Sequence, residues 1–251
     1  MGARGTLHDM NDRLQNGALA GLLVLTLVLV GFSLRSRGSS PATTQARPTT
    51  SSASATPTPT PTKAAGPVVF LGDSVTEGKS ATTPAKRWTA LVARSLGLKE
   101  VNLGHARTGY LRVGPDGSCG DAACPSFKDS IKAVVAAAPS TVIVTGGGND
   151  TGLPADEVSD AVTATLSGLR KALPDATIYV VNPWWDLRPL PDTLGELTTT
   201  VSKAATAADL TYLDTEQPLV GKPDLMVASG TNPNDAGHAA LAKAVTEAMK
   251  P

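Results

Sequence analysis

A serine, an asparagine and an aspartate–histidine pair are the residues whose types and spacing in this chain could do chemistry. Ser74 follows the apolar run Val68-Val-Phe-Leu71 through Gly72 and Asp73, and Asn149 lies in Gly146-Gly-Gly-Asn149-Asp150, directly after the apolar run Thr141–Thr145. Asp235-Ala-Gly-His238 opens the last periodic segment of the chain. A serine hydroxyl becomes a nucleophile when a base takes its proton and a carboxylate holds that base. Three histidines occur, His8, His105 and His238. His8 falls in an N-terminal segment set apart below, and His105 has no carboxylate close to it in sequence. Asp235 precedes His238 by three residues, so both project from one helical turn. The expected set is Ser74 as nucleophile, His238 as base and Asp235 as its orienter. Taken singly, each piece also describes an ordinary tight turn, loop or helix cap. It is their order, at successive strand ends, that favours catalysis.

Those residues need elements to bring them together. From Gly66 on, short apolar runs alternate with helical patterns. Val68–Leu71, Val101–Leu103, Thr141–Thr145, Thr177–Val181 and Leu210–Leu213 read as strands. Trp88–Leu96, Ile131–Ala138, Glu157–Leu173, Thr193–Ala208 and Ala236–Met249 read as helices. Continuously apolar strands separated by helices predict an α/β fold, a parallel sheet covered on both faces. Ligands in such sheets bind at the carboxyl ends of the strands. Ser74, the Asn102-Leu-Gly104-His105 segment, Asn149 and Trp184-Trp185 all fall there.

The first 66 residues are of another kind. Residues 1–17 are polar, and Ala18–Leu34 is a run of 17 residues without charge. At about 1.5 Å per residue such a helix just spans the hydrocarbon core of a bilayer. A cleaved signal peptide is the rival, but it calls for a shorter apolar core and an A-x-A-like site, where this chain has Arg35-Ser-Arg37. Between Ser36 and Thr62, 19 of 27 residues are Ser, Thr or Pro, a composition that cannot offset its own ordering entropy. The expected organisation is a cytoplasmic tail (1–17), a transmembrane anchor (18–34), a disordered linker (35–66) and one domain (67–251) outside the membrane. Secretion after signal cleavage is the other localisation left open.

Composition narrows the function classes. Lys+Arg and Asp+Glu are 22 each in 251 residues, so no net field favours nucleic acid. Two cysteines exclude a disulfide-dense miniprotein and a four-cysteine zinc site. Cys119 and Cys124 are expected to form a disulfide that shapes the loop after the second strand. A metal held by them and His105 is the lesser reading.

The domain resembles the SGNH (GDSL-type) hydrolase family of esterases and lipases, from Pro67 to Pro251. Gly72-Asp-Ser74-Val-Thr-Glu-Gly78 resembles its nucleophile block, Gly146-Gly-Gly-Asn149-Asp150 its Gly-x-Asn-Asp block and Asp235-Ala-Gly-His238 its Asp-x-x-His block. The resemblance implies a flavodoxin-like three-layer α/β/α sandwich with five strands. It also implies the roles given above, with Asn149 as a side-chain oxyanion donor and no metal or cofactor. One block departs. The family's Asn-x-x-x-x-Gly places a glycine N–H at the oxyanion, and here Arg107 follows Asn102 at that distance. A backbone N–H survives any non-proline substitution, so Arg107 is the expected donor, with Gly104 and Gly109 as the other candidates.

The implied reaction is hydrolysis of a carboxylic ester through an acyl-serine. No large apolar lid lies between the blocks, which argues against long-chain lipids. Trp184-Trp185 at a strand end could stack on a sugar or pack the interior. A stalked domain would meet envelope glycans, so a short acyl group on a carbohydrate is the expected substrate. Acyl transfer to a glycan hydroxyl and a non-catalytic glycan-binding module are the alternatives. Oligomeric state is not legible.

Overall fold

A computed structural model describes residues 66–250. The expected tail, membrane anchor and linker lie outside the described residues, apart from Gly66. Among the described residues no helix is long and apolar enough to cross a membrane.

Five strands form one parallel sheet: β1 (Val68–Gly72), β2 (Glu100–Gly104), β3 (Thr141–Thr145), β4 (Thr177–Val181) and β5 (Thr211–Leu213), in spatial order β2-β1-β3-β4-β5. Side chains alternate along a strand. Val69, Leu71, Val142, Val144, Ile178 and Val180 therefore enter one core, while Val68, Phe70, Ile143 and Val181 enter the other. Both faces are covered, so the strands are continuously apolar.

Short and long helices connect the strands: α1 (Ser74–Glu77), α2 (Trp88–Leu96), α3 (Ile131–Ala136), α4 (Ala155–Ala172), α5 (Leu194–Ala207) and α6 (Asp235–Ala248). On the first face α4 supplies Val158, Val162, Leu166 and Leu169, and α5 supplies Leu197 and Val201. On the second, Trp88 and Val92 of α2 meet Leu241 and Val245 of α6. Each of these side chains is nearly or fully buried, worth about 1.5–3 kcal/mol apiece for the larger ones by area. The three-layer α/β/α arrangement of the sequence reading is present. Its helices lie within two residues of expectation at their ends: α2 matches at both, and α3 stops at Ala136, two residues short of Ala138.

One helix was not legible. α1 has four residues, too few for a periodic pattern. Its boundaries are nonetheless written in the sequence: Asp73 caps it by accepting a hydrogen bond from the Val75 N–H, and Gly78 ends it at φ 91°. Gly104 shows why β2 ends without a side chain. A Cβ there would stand 2.2 Å from the backbone nitrogen of Glu77. The glycine thus lets α1 lie directly on the end of β2.

Candidate active site

Ser74 is the first residue of α1, at the carboxyl end of the strand β1. It lines a cavity of about 310 Å³ together with Asp73, Arg107, Asn149, Trp184 and Asn232. Asp73 turns its carboxylate back to cap α1, and burial pushes its pKa up to about 6.

The loop after β2 brings a donor to the serine. The Arg107 N–H donates to the Ser74 hydroxyl oxygen at 3.3 Å. Arg107 adopts φ 65°, the left-handed region that costs a non-glycine residue about 1–2 kcal/mol. Arg107 is therefore the residue of the loop that faces Ser74, and the glycine expected at its position would have relieved strain without changing the donor. Gly104 and Gly109 serve other ends. Gly109 carries no side chain because a Cβ there would stand 2.3 Å from the Asp150 carboxylate.

Asp150 had no role in the sequence reading, and it builds this loop. Its buried carboxylate accepts from the N–H groups of Tyr110, at 2.7 Å, and Arg112, at 2.9 Å. Its neighbour Asn149 donates one amide hydrogen to the Thr108 carbonyl at 2.9 Å. An amide nitrogen has two hydrogens, so one is left for the cavity that Asn149 lines. Asn102 completes the frame, donating to the Thr76 carbonyl at 2.7 Å and accepting from the Gly104 N–H at 2.8 Å.

His238 and Asp235 are elsewhere. His238 is fully buried where α6 packs on α2. Its Nδ1 accepts from the Trp88 N–H at 3.4 Å, and its Nε2 lies 3.1 Å from the Lys79 carbonyl. A neutral ring protonated at Nε2 satisfies both contacts, and burial holds the imidazole pKa below its usual value. Neither nitrogen is left for Ser74. Asp235 accepts from the Thr82 N–H and hydroxyl, each at 2.8 Å, and from Lys86 Nζ at 2.7 Å. Lys86 above all draws its carboxyl down to about 2. The expected Ser74–His238–Asp235 relay is thus not made in this structure. The reason is local. Asn234, not Asp235, caps α6, its side chain accepting from the Gly237 N–H. Asp235 is then the first helical residue and reaches outward to the loop at Thr82, while His238 turns inward.

His105 is also apart from the serine. Its Nδ1 lies 3.7 Å from Cys119 Sγ, and Cys119 and Cys124 are joined in a disulfide. The bridge pairs the two thiols that a metal would need.

Both expected tryptophans reach the cavity and are also packed. Trp184 stands edge-on to Trp88 at 5.3 Å and donates to the Thr215 hydroxyl at 2.8 Å. Trp185 lies under the Arg188 guanidinium, 4.6 Å from its ring centre. Arg188 is paired with Asp186 through Nε and a terminal nitrogen at 2.8–2.9 Å. This pair lines the cavity and was missed. Its signal was the Asp-x-Arg spacing just after a strand end.

The arrangement resembles known proteins. A GDSL lipase of Mycobacterium tuberculosis, Rv0518, is 28% identical over 187 residues, covering 70% of this chain and 78% of its own. A lipolytic protein of the G-D-S-L family from Desulfitobacterium hafniense superposes with a TM-score of 0.58 at 17% identity, covering 73% of this chain and 99% of that one. Est24, a carbohydrate acetylesterase from Sinorhizobium meliloti, gives 0.54 at 18%, covering 72% and 97%. At these identities the two structures speak for the fold alone. The family model of the GDSL-like lipases and acylhydrolases matches residues 70–240, from the middle of β1 into α6. With the serine at the end of β1 and the sheet order described, this chain belongs to that family.

Proposed function

We propose that the Ser74 cavity takes a short acyl ester of a carbohydrate and transfers the acyl group through Ser74 to water. The carrying observation is the convergence of a hydroxyl, a backbone N–H and an amide on one open cavity. In the first step Ser74 Oγ bonds to the acyl carbon, the ester C–O bond breaks, and the sugar leaves as the alcohol with a proton. In the second, water attacks the acyl-serine and releases the acid. The Arg107 N–H and the spare Asn149 hydrogen are the donors for the carbonyl oxygen as it becomes an oxyanion. One such donor is worth roughly 3–4 kcal/mol of barrier.

The substrate class rests on what lines the cavity. Trp184 and Trp185 offer flat apolar surface, and Asp186, Arg188 and Asn232 offer hydrogen-bonding groups, a mix that suits a sugar. The domain is placed outside the membrane on a stalk, held by residues 18–34. The uncharged run, the Ser/Thr/Pro stretch and the Cys119–Cys124 disulfide support that placement.

Binding without efficient turnover is a second reading, and one observation favours it: both His238 nitrogens are engaged away from Ser74. Release of acetate from acetylated oligosaccharides by the full-length chain, with Ser74→Ala as control, tests the primary reading. Equal release by the alanine variant overturns it.

A further inference from the structure

The cavity contains a serine and oxyanion donors, and among its lining residues there is no imidazole. Its two carboxylates are committed. Asp73 Oδ1 accepts from the Val75 N–H at 3.0 Å, and Asp186 is paired with Arg188. On the α6 side, the cavity wall is made by the loop leading into that helix. What it puts on the cavity wall is Thr231 and Asn232.

That loop is firmly held. The Val227 N–H donates to the Asn232 carbonyl at 3.0 Å, and the Gly230 N–H to the Val227 carbonyl at 2.8 Å. The Leu187 N–H donates to the Gly230 carbonyl at 3.1 Å, tying the loop to the segment after β4. Three side chains along it form a chain of their own. Ser229 Oγ and Thr231 Oγ1 are 3.0 Å apart, and Asn232 Nδ2 donates to Thr231 Oγ1 at 3.3 Å. Every member is neutral, and neither a hydroxyl nor an amide takes up a proton near neutral pH. Ser229 stands three residues before Asn232, the spacing first expected of Asp235 and His238.

We propose that Asn232 occupies the seat of the base in the Ser74 cavity, so that the site takes and holds acyl esters and turns them over slowly. The inference rests on the reading of the cavity as an ester site and adds a regime of action. The proton of Ser74 leaves to solvent, and the rate is what binding and the oxyanion donors supply, about 10³–10⁴ over water. A positioned base adds typically another 10²–10⁴. The second step suffers more than the first when the ester carries a good leaving group. An aryl alcohol departs without help, whereas the attacking water still needs a base. Acyl-Ser74 then accumulates.

The test is a gain of function in the full-length chain. Asn232→His puts an imidazole on the cavity wall, and Ser229→Asp with Asn232→His adds a carboxylate at the spacing that can orient it. With 4-nitrophenyl acetate, the double variant is expected to raise steady-state turnover about 10²-fold. It should also introduce a pH step near the ordinary imidazole value of about 6.5. Adding Ser74→Ala removes both. The single variant, read the same way, serves if the pair disturbs the loop, with thermal melting as the check on folding. Wild-type turnover that already shows this pH step and loses it in His238→Gln overturns the inference. So do folded variants that gain nothing while wild-type Ser74 is acylated. If Ser74 is acylated in no form of the chain, the ester reading itself falls.

Discussion

Replacing His238 by alanine separates a structural imidazole from a catalytic one. The ring is fully buried and fills the junction of α2 and α6. Its removal strips the Trp88 N–H of its partner, in a residue that is itself fully buried. A buried donor left unsatisfied costs about 1–3 kcal/mol. The void adds to this, since large-to-alanine changes in cores cost about 2–5 kcal/mol. The Lys79 carbonyl belongs to an exposed residue and can turn to water. A loss of about 4 kcal/mol is expected, which at a urea m-value of about 2 kcal/mol per M lowers the midpoint by about 2 M. Urea unfolding followed by tryptophan fluorescence measures it. A pH series adds a signed check. The folded ring is held neutral, so its contribution is complete above the unfolded pKa of about 6.5. It is lost as pH falls below that value, because the unfolded chain then binds more protons. The gap between wild type and variant therefore narrows on acidification. A stability loss of less than about 0.5 kcal/mol, with ester turnover down by the roughly 10⁴-fold typical of a broken triad, would refute the reasoning.

Two further substitutions probe the frame around Ser74. Asp73→Asn keeps the oxygen that caps α1 and removes a carboxyl whose pKa is raised from 3.8 to about 6 by burial. The protonated form is the one the fold favours. Its benefit is present below the unfolded value and lost as pH rises through about 6, so the variant should melt higher than wild type at pH 7.5 and no higher at pH 3.5. A melting difference independent of pH contradicts this. Arg107→Gly relieves the left-handed backbone at φ 65° while loosening the unfolded chain. The expected result is stability within about 1 kcal/mol of wild type and unchanged acylation of Ser74 by an aryl ester. Acylation that disappears with the arginine side chain would show that the N–H is not the working donor.

How much of this could be read from residues alone depended on how local the cause was. The strands were legible because a sheet buried on both faces makes its strands apolar throughout, as in Val68–Leu71 and Thr141–Thr145. The placing of Ser74 and Asn149 on one cavity was legible because β1 and β3 are neighbours and both residues lie in the short turns just past their strand ends. The fate of His238 was not. An i,i+3 spacing says that Asp235 and His238 leave the same turn of a helix. It does not say which residue caps that helix or what packs on it. With Asn234 as the cap and Trp88 and Lys79 as partners, the histidine became a core residue and the aspartate a surface clasp on Thr82 and Lys86. Asn232, in an Asn-Pro-Asn stretch, reads as turn punctuation. Its place on the cavity wall depends on contacts from the segment after β4, far away in sequence.

The account turns on Ser74 as the atom that accepts the acyl group. Intact-mass measurement of the full-length chain during exposure to 4-nitrophenyl acetate, followed by peptide mapping, tests this directly. One acetyl group should build up on Ser74 and decay slowly, and it should be absent from Ser74→Ala. A chain that remains unmodified at Ser74, or that carries its acetyl group on another residue, would contradict the account.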